Sequence, residues 1–336
     1  MDIQNIKQKI FNKKTLKLLI ENLFILLGII IFVILFSNIF GVENQLIGVG
    51  LITGLLLFKD IGIGIVRKEA AFVIILICFV MAICNILSFY NIYLAIFLNA
   101  FAILFLMLFS TVKVYYKTYI PFILMYIFAQ DIDIPEGRVI YRFLAFFISG
   151  ILMGLCHYIY NKNDEDAKKF IQIVKEIKFE KNTYIFIIKM VIGLTVAMFF
   201  ADIMGIQKGM WIVITVMSLT QPNLEETHYR MKSRVKGTLI GLILYLILFK
   251  FIVPISFIPI VMFFISYIYC FIKNYYIKII FITINSLNAA SSIFNTYDSI
   301  LLRISFIIFG TLIAFVIIFL EHKFLDSKLE KQDLPQ

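Results

Sequence analysis

"GMWIVITVMSLTQPNLEETHYRMKSRVKGTLIGLI", residues 209–243, decides how the chain is read. It opens as an apolar helix with Trp211 at its edge, meets Gln221-Pro222, and turns strongly polar. It then re-enters an apolar run through Arg234, Lys236, Gly237, Thr238 and Gly241. About 13 residues at 1.5 Å each give roughly 20 Å, against about 30 Å of membrane hydrocarbon. The spacing therefore predicts a short helix entering the protein from one surface. Its inner end at Gln221-Pro222 is expected beside a hydrated vestibule, the remaining depth being met by water or by the polar extension folding back toward Arg234.

The rest of the chain places that helix in a membrane. Of 336 residues, 62% are hydrophobic and 15% charged, with a mean hydropathy of +0.97. A soluble domain carries about 25% charged residues. The apolar runs are too long and continuous for barrel strands of about 10 residues, so the fold class is all-α and polytopic. The net charge of +10 is explained by bases collecting on one side of the bilayer, which makes a nucleic-acid partner unnecessary. Cys78, Cys84, Cys156 and Cys270 lie in apolar segments without CxxC spacing and are expected as small core residues.

Apolar segments fall at about 19–40, 45–58, 71–89, 92–111, 116–130 and 139–160. They return at about 183–203, 209–221, 235–253, 255–272, 275–293 and 300–320. The expected layout is about twelve transmembrane segments in two parallel six-helix repeats, 19–160 and 183–320. Residues 1–18 form a basic amphipathic helix on the membrane surface. Residues 161–182 make a linker helix with Asn163 or Asp164 as its cap, and 321–336 a tail. An inward N terminus puts Lys7 to Lys17, Arg67, Lys68, Lys113, Lys117, the linker, Arg230 to Lys236 and the C-terminal lysines in the cytoplasm. Glu43, Asp131, Asp133, Glu136 and Asp298 then lie outside. Both termini are thus expected inside, at the cell membrane.

The halves show pattern correspondence. "FSNIFGVENQLIGVGLITGLLLF" (36–58) aligns with "FADIMGIQKGMWIVITVMSLTQP" (200–222), and "YRFLAFFISGILMGL" (141–155) with "LRISFIIFGTLIAFV" (302–316). Six spans per half would relate the halves by an axis along the membrane normal. Short, Gly- or Pro-interrupted segments at corresponding places, here 45–58 and 209–221, point to a transport site.

Intramembrane bases are the second pointer. Lys189 falls about two turns into its segment, and Arg142 and Arg303 near the outer ends of theirs. A mid-membrane base costs about 2.5–3.5 kcal/mol to insert, so it faces an interior or a pathway, or snorkels to the surface. No acid of similar depth is apparent for Lys189. An anionic guest is therefore favoured, and Lys189→Met is expected to spare folding. Small residues in "GTLIG" (237–241) and "GILMG" (150–154) read as helix-packing faces. Trp211 reads as an interfacial anchor, or a surface on which a substrate stacks. His157, His228 and His322 fall at cytoplasmic ends of different segments, which argues against a metal site; His228 is a proton-coupling candidate only by residue type. Walker, GxSxG and HExxH patterns are missing, so neither an enzyme nor a cofactor is expected.

At Trp211, Thr215, Pro222, Arg234, Gly237, Thr238 and Gly241 the sequence resembles the fusaric-acid-resistance-like and aromatic-acid-exporter superfamily. Its pattern is a Trp-containing short helix closed by Pro, then Arg-x-x-Gly-Thr-x-x-Gly opening the next span. Plant aluminium-activated malate channels look similar, with one six-span unit per subunit. The resemblance covers about 35 residues, and the two-halves layout extends it along the chain. The first half lacks the motif, and the large cytoplasmic domains of many relatives are reduced here to the linker and tail.

The resemblance implies export of small organic anions, aromatic carboxylates among them, across the cytoplasmic membrane. Arg230, Arg234 and Lys236 would gather the anion at the cytoplasmic mouth. Lys189 would hold its carboxylate, with Trp211, Thr215, Pro222, Arg142 and Arg303 along the pathway. The alternatives are a passive anion channel and a non-transporting scaffold or accessory subunit. The expected partners are the anion, the lipid bilayer and either a second copy of the chain or an accessory subunit.

Overall fold

The computed structural model describes residues 13–161, 167–175, 181–205, 208–291 and 296–332. Most of the surface helix 1–18, the candidate caps Asn163 and Asp164, and the end of the tail lie outside these residues. Each of the twelve apolar segments becomes a helix. In chain order they are α1 (Lys13–Phe40), α2 (Gln45–Phe58), α3 (Arg67–Ser88), α4 (Ile92–Ser110), α5 (Ile120–Gln130) and α6 (Val139–Tyr160). A six-residue helix follows, α7 (Phe170–Lys175). The series continues with α8 (Lys181–Ile203), α9 (Met210–Leu219), α10 (Leu224–Leu246), α11 (Ile258–Tyr269), α12 (Tyr275–Ser291) and α13 (Thr296–Gln332). Among the described residues, seven helices are long and apolar enough to cross a membrane: α1, α3, α4, α6, α8, α10 with its extension to Ile252, and α13.

Local chemistry sets several boundaries. The Asn91 side chain accepts from the Tyr93 and Leu94 amides at 2.8 and 3.3 Å and starts α4. Asn223 accepts from the Glu225 amide at 2.9 Å and starts α10. Pro121 and Pro259 sit in the first turns of α5 and α11, where a missing N–H costs nothing. Gly41 and Gly205 follow α1 and α8 at φ +97° and +58°, a region that side chains avoid.

The chain divides into two compact units, Met1–Leu35 with Arg230–Leu302, and Phe36–Tyr229 with Arg303–Gln336. Their boundaries cut across the segments 19–160 and 183–320. In the first unit α10 packs on α12 through its glycines. A methyl group on Gly237 would meet Ile279 at 3.0 Å, and one on Gly241 would meet Thr283 at 2.8 Å. Tyr267 ties α11 to α1 by donating to the Leu19 carbonyl at 2.8 Å.

In the second unit the most extensive pairing among the described residues is α3 with α6. Gly150 and Gly154 let α6 approach Cys78 and Ala71 on α3, each a built methyl's 2.8 Å away. Next to this pair lie α2 against α5 and α6, α4 against α8, and α9 against α8 and α5. The loops sort into two ends. Among the described residues, a basic end holds 59–66, 111–119, 167–169 and 220–223, and an acidic end holds 41–44, 131–138, 204–205 and 208–209. Cys78 and Cys84 are buried as expected, whereas Cys270, in the first unit, is exposed.

Candidate functional site

The site forms where α9 stops. Only ten residues of the opening stretch, Met210–Leu219, are helical there. Thr220 is extended and Pro222 cannot donate the bond that would continue the ladder. This leaves carbonyls at the helix end without an internal partner. Two of them, Ser218 O and Thr220 O, accept from the Gln221 side-chain amide at 3.1 and 2.9 Å, and Gln221 O, just past the helix, accepts from Lys189 Nζ of α8 at 3.3 Å. Lys189 also donates to both carboxylate oxygens of Glu321, at 2.9 Å to Oε2 and 3.1 Å to Oε1. The two side chains are 7% and 9% exposed, the most buried ion pair among the described residues.

This geometry corrects two expectations. Lys189 has an acid at its own depth, because α13 carries Glu321 inward from what looked like a solvated tail. An acid so far along the chain, next to charged residues, gives no periodic signal in the sequence. The hydrated vestibule at Gln221 is also not seen: Gln221 is 3% exposed and Thr220 5%. The polar extension is helical. It forms the first turns of α10, started by Asn223, with Glu225 and Glu226 in the first turn, where the helix dipole favours acids. Lys117 from the loop after α4 pairs with Glu226 at 3.1 Å and ties α10 to the basic end.

The other signature residues of the second unit serve packing. Trp211 lies under Arg303, whose guanidinium carbon is 4.6 Å from the ring centroid. One turn on, Thr215 is fully buried and donates to the Trp211 carbonyl at 2.7 Å. A methyl on Gly310 of α13 would meet Thr215 at 2.7 Å. Trp211 and Thr215 thus present one face of α9 to α13, with Thr215 enclosed. Pro222 is half-buried beyond the end of α9.

Arg142 is fully buried and neither snorkels nor faces open space. Its guanidinium donates to Asn85 Oδ1 at 3.1 Å, Ile132 O at 3.0 Å, Glu43 O at 3.3 Å and the Ala129 carbonyl. It joins α3, α5, α6 and the 41–44 turn at the acidic end. Beside it Tyr126, Gln130 and Ser88 form a chain of hydrogen bonds onto Asn99 and Asn85. Asp131, absent from the sequence-derived candidates, accepts from the Met210 amide at 2.7 Å and closes the start of α9. Burial pushes its carboxyl up to about 6, against the opposing pull of that amide and Lys208.

Arg230, Arg234 and Lys236 lie in the first unit and are not alike. Arg230 stacks on Tyr275, 4.6 Å from its ring centre, Arg234 is 3% exposed, and Lys236 is exposed. Thr238 is buried between the packing glycines Gly237 and Gly241. His228, in the second unit, is exposed. At the basic end of the second unit a cavity of about 290 Å³ is lined by Asp60, Gly62, Arg67, Tyr116, His157 and Asn161. His157 accepts there from the Ile63 amide at 3.4 Å.

Residues 196–317 match the family model described as fusaric acid resistance protein-like. Over this stretch, about a third of the chain, the protein is similar to that family. The stretch runs from the later turns of α8 to α13 and contains the Trp211–Arg303 pair, the end of α9 and the glycine face of α10. The family is one of membrane transport, and with seven helices able to span, the chain is a multi-pass membrane protein. Lys189 and Glu321 lie just outside the matched residues. No curated protein and no solved structure matches the chain.

Proposed function

We propose that this fusaric acid resistance protein-like chain exports small organic anions, aromatic carboxylates among them, across the cytoplasmic membrane. The observation that carries the reading is the ammonium group of Lys189 held against the end of a helix too short to span. Ten residues at about 1.5 Å cover roughly 15 Å. A broken helix at membrane depth leaves backbone groups that lipid cannot satisfy, and such breaks line sites where a polar guest is handled. A buried ammonium recognises a carboxylate by charge and by directed N–H donors.

With the basic end facing the cytoplasm, Lys117, Lys59 and Arg67 surround the entry side, and Arg230, Arg234 and Lys236 add to the cytoplasmic positive charge. The twelve-segment, two-repeat layout belongs to the same proposal. It is supported by the positive φ of both Gly41 and Gly205, which occupy corresponding positions after α1 and α8. It is supported too by the burial of both Arg142 and Arg303 near the starts of α6 and α13.

The test is flux from proteoliposomes loaded with 4-hydroxybenzoate, with protein-free vesicles subtracted. Saturable efflux that is abolished in the double variant Lys189→Met with Glu321→Gln, which keeps most of the stability, is the expected result. Folded wild-type protein that moves no carboxylate in either direction would remove the reading.

A further inference from the structure

Lys189 has three N–H donors. Two point to the oxygens of Glu321 and one to the Gln221 carbonyl. While Glu321 stays ionised and in place, the ammonium has no donor left for a guest. The carboxylate of Glu321 therefore occupies the position that a substrate carboxylate would take.

We propose that Glu321 is an exchangeable counter-ion and the proton carrier of transport; the inference rests on the reading of the chain as a carboxylate exporter. The substrate carboxylate takes over the Lys189 donors as Glu321 accepts one proton from water on the side from which the substrate enters. Lys189 stays an ammonium throughout. The resting site holds one positive and one negative charge. The loaded site holds the ammonium, the substrate carboxylate and a neutral Glu321 carboxylic acid, so its net charge is again zero. Adding the anion without the proton would leave an uncompensated negative charge among apolar helices, which such an environment resists. Anion and proton therefore cross together in an electroneutral step. Its direction follows the combined gradients, outward when the acid accumulates inside.

Among the described residues, the hydrogen-bonded partners of the pair come from three helices. Lys189 comes from α8, Glu321 from α13, and the Gln221 carbonyl from the end of α9. Lys117 and Glu226 pair with each other on the neighbouring loop and α10. His322 follows Glu321 in sequence, its side chain outside the described residues.

The experiment is calorimetric titration of the purified full chain with benzoate near neutral pH, in two buffers of different ionisation enthalpy. The difference in heat counts protons. Wild type is expected to take up about one proton per benzoate, with affinity rising about ten-fold per pH unit lowered for as long as that uptake persists. Glu321→Gln is expected to bind benzoate with no proton uptake and an affinity independent of pH. Wild-type binding without proton uptake overturns the proposal whether or not the variant folds. So does proton uptake that persists in Glu321→Gln. A folded wild type that binds no carboxylate at any pH overturns the transport reading itself, a different outcome from either.

Discussion

Lys189 Nζ and Glu321 Oε2 lie 2.9 Å apart although 132 residues separate them in the chain. Removing one partner leaves the other charge buried and unmatched. Lys189→Met alone should therefore cost about 3–5 kcal/mol of stability, while Lys189→Met with Glu321→Gln should recover most of it. Thermal unfolding in detergent measures both. Equal unfolding temperatures for the single variant and wild type would mean that the pair carries no structural weight.

Arg142→Ala strands the acceptors Asn85 Oδ1, Ile132 O, Glu43 O and Ala129 O, and should cost on the order of 3–5 kcal/mol. Abundance and unfolding temperature in detergent measure the loss, and an unchanged unfolding temperature would mean that the four acceptors find other donors. The stacking of Arg303 on Trp211 should appear as a coupling of about 1–2 kcal/mol in a double-variant cycle of Arg303→Ala with Trp211→Leu. Fully additive losses would mean that the stacking carries no stability.

The Asp131 carboxyl, outside the seven spanning helices, gives a pH dependence with a defined sign. Its folded value of about 6 lies above the ordinary carboxylate value of about 4. The folded protein thus holds the proton more tightly than the unfolded chain. The stability from this group is fully present below about pH 4 and lost as pH rises through about 6. Asp131→Asn keeps an oxygen acceptor for the Met210 amide and removes the titration. The wild-type decline in unfolding temperature across that window should flatten in the variant, and an unchanged slope would assign it to another group.

Gly241→Leu and Gly237→Leu should separate α10 from α12, since even a methyl group would meet Thr283 or Ile279 at 3.0 Å or less. The expected phenotype is low abundance and early unfolding in detergent. A stable, well-expressed but inactive variant would place these glycines on the transport path instead.

Cysteines introduced singly after α9, in a background lacking the native four, should divide sharply. Asn223 and Glu225 are exposed, and cysteines there should react with an impermeant thiol reagent; Thr220 and Gln221 are buried and should not. Reaction at Gln221 that benzoate blocks would instead mean that the end of α9 opens to water.

The sequence by itself determined the membrane class, the positions of all twelve apolar helices, the short length of α9 and its stop near Pro222. These are local matters: run length and a missing amide hydrogen. It also marked Lys189, Arg142 and Arg303 as bases in apolar runs, and the glycine faces that pack α10 on α12 and α6 on α3. It gave each base a charge and a depth but no partner. Partners were decided by tertiary structure, which brings Glu321 back to Lys189, aims four acceptors at Arg142, lays Arg303 over Trp211 and sets Asp131 on the first amide of α9. The physical reason is that hydropathy reports how costly a buried charge is, whereas the group that offsets the cost comes from an element distant in sequence. Only the packing of the helices fixes which element that is.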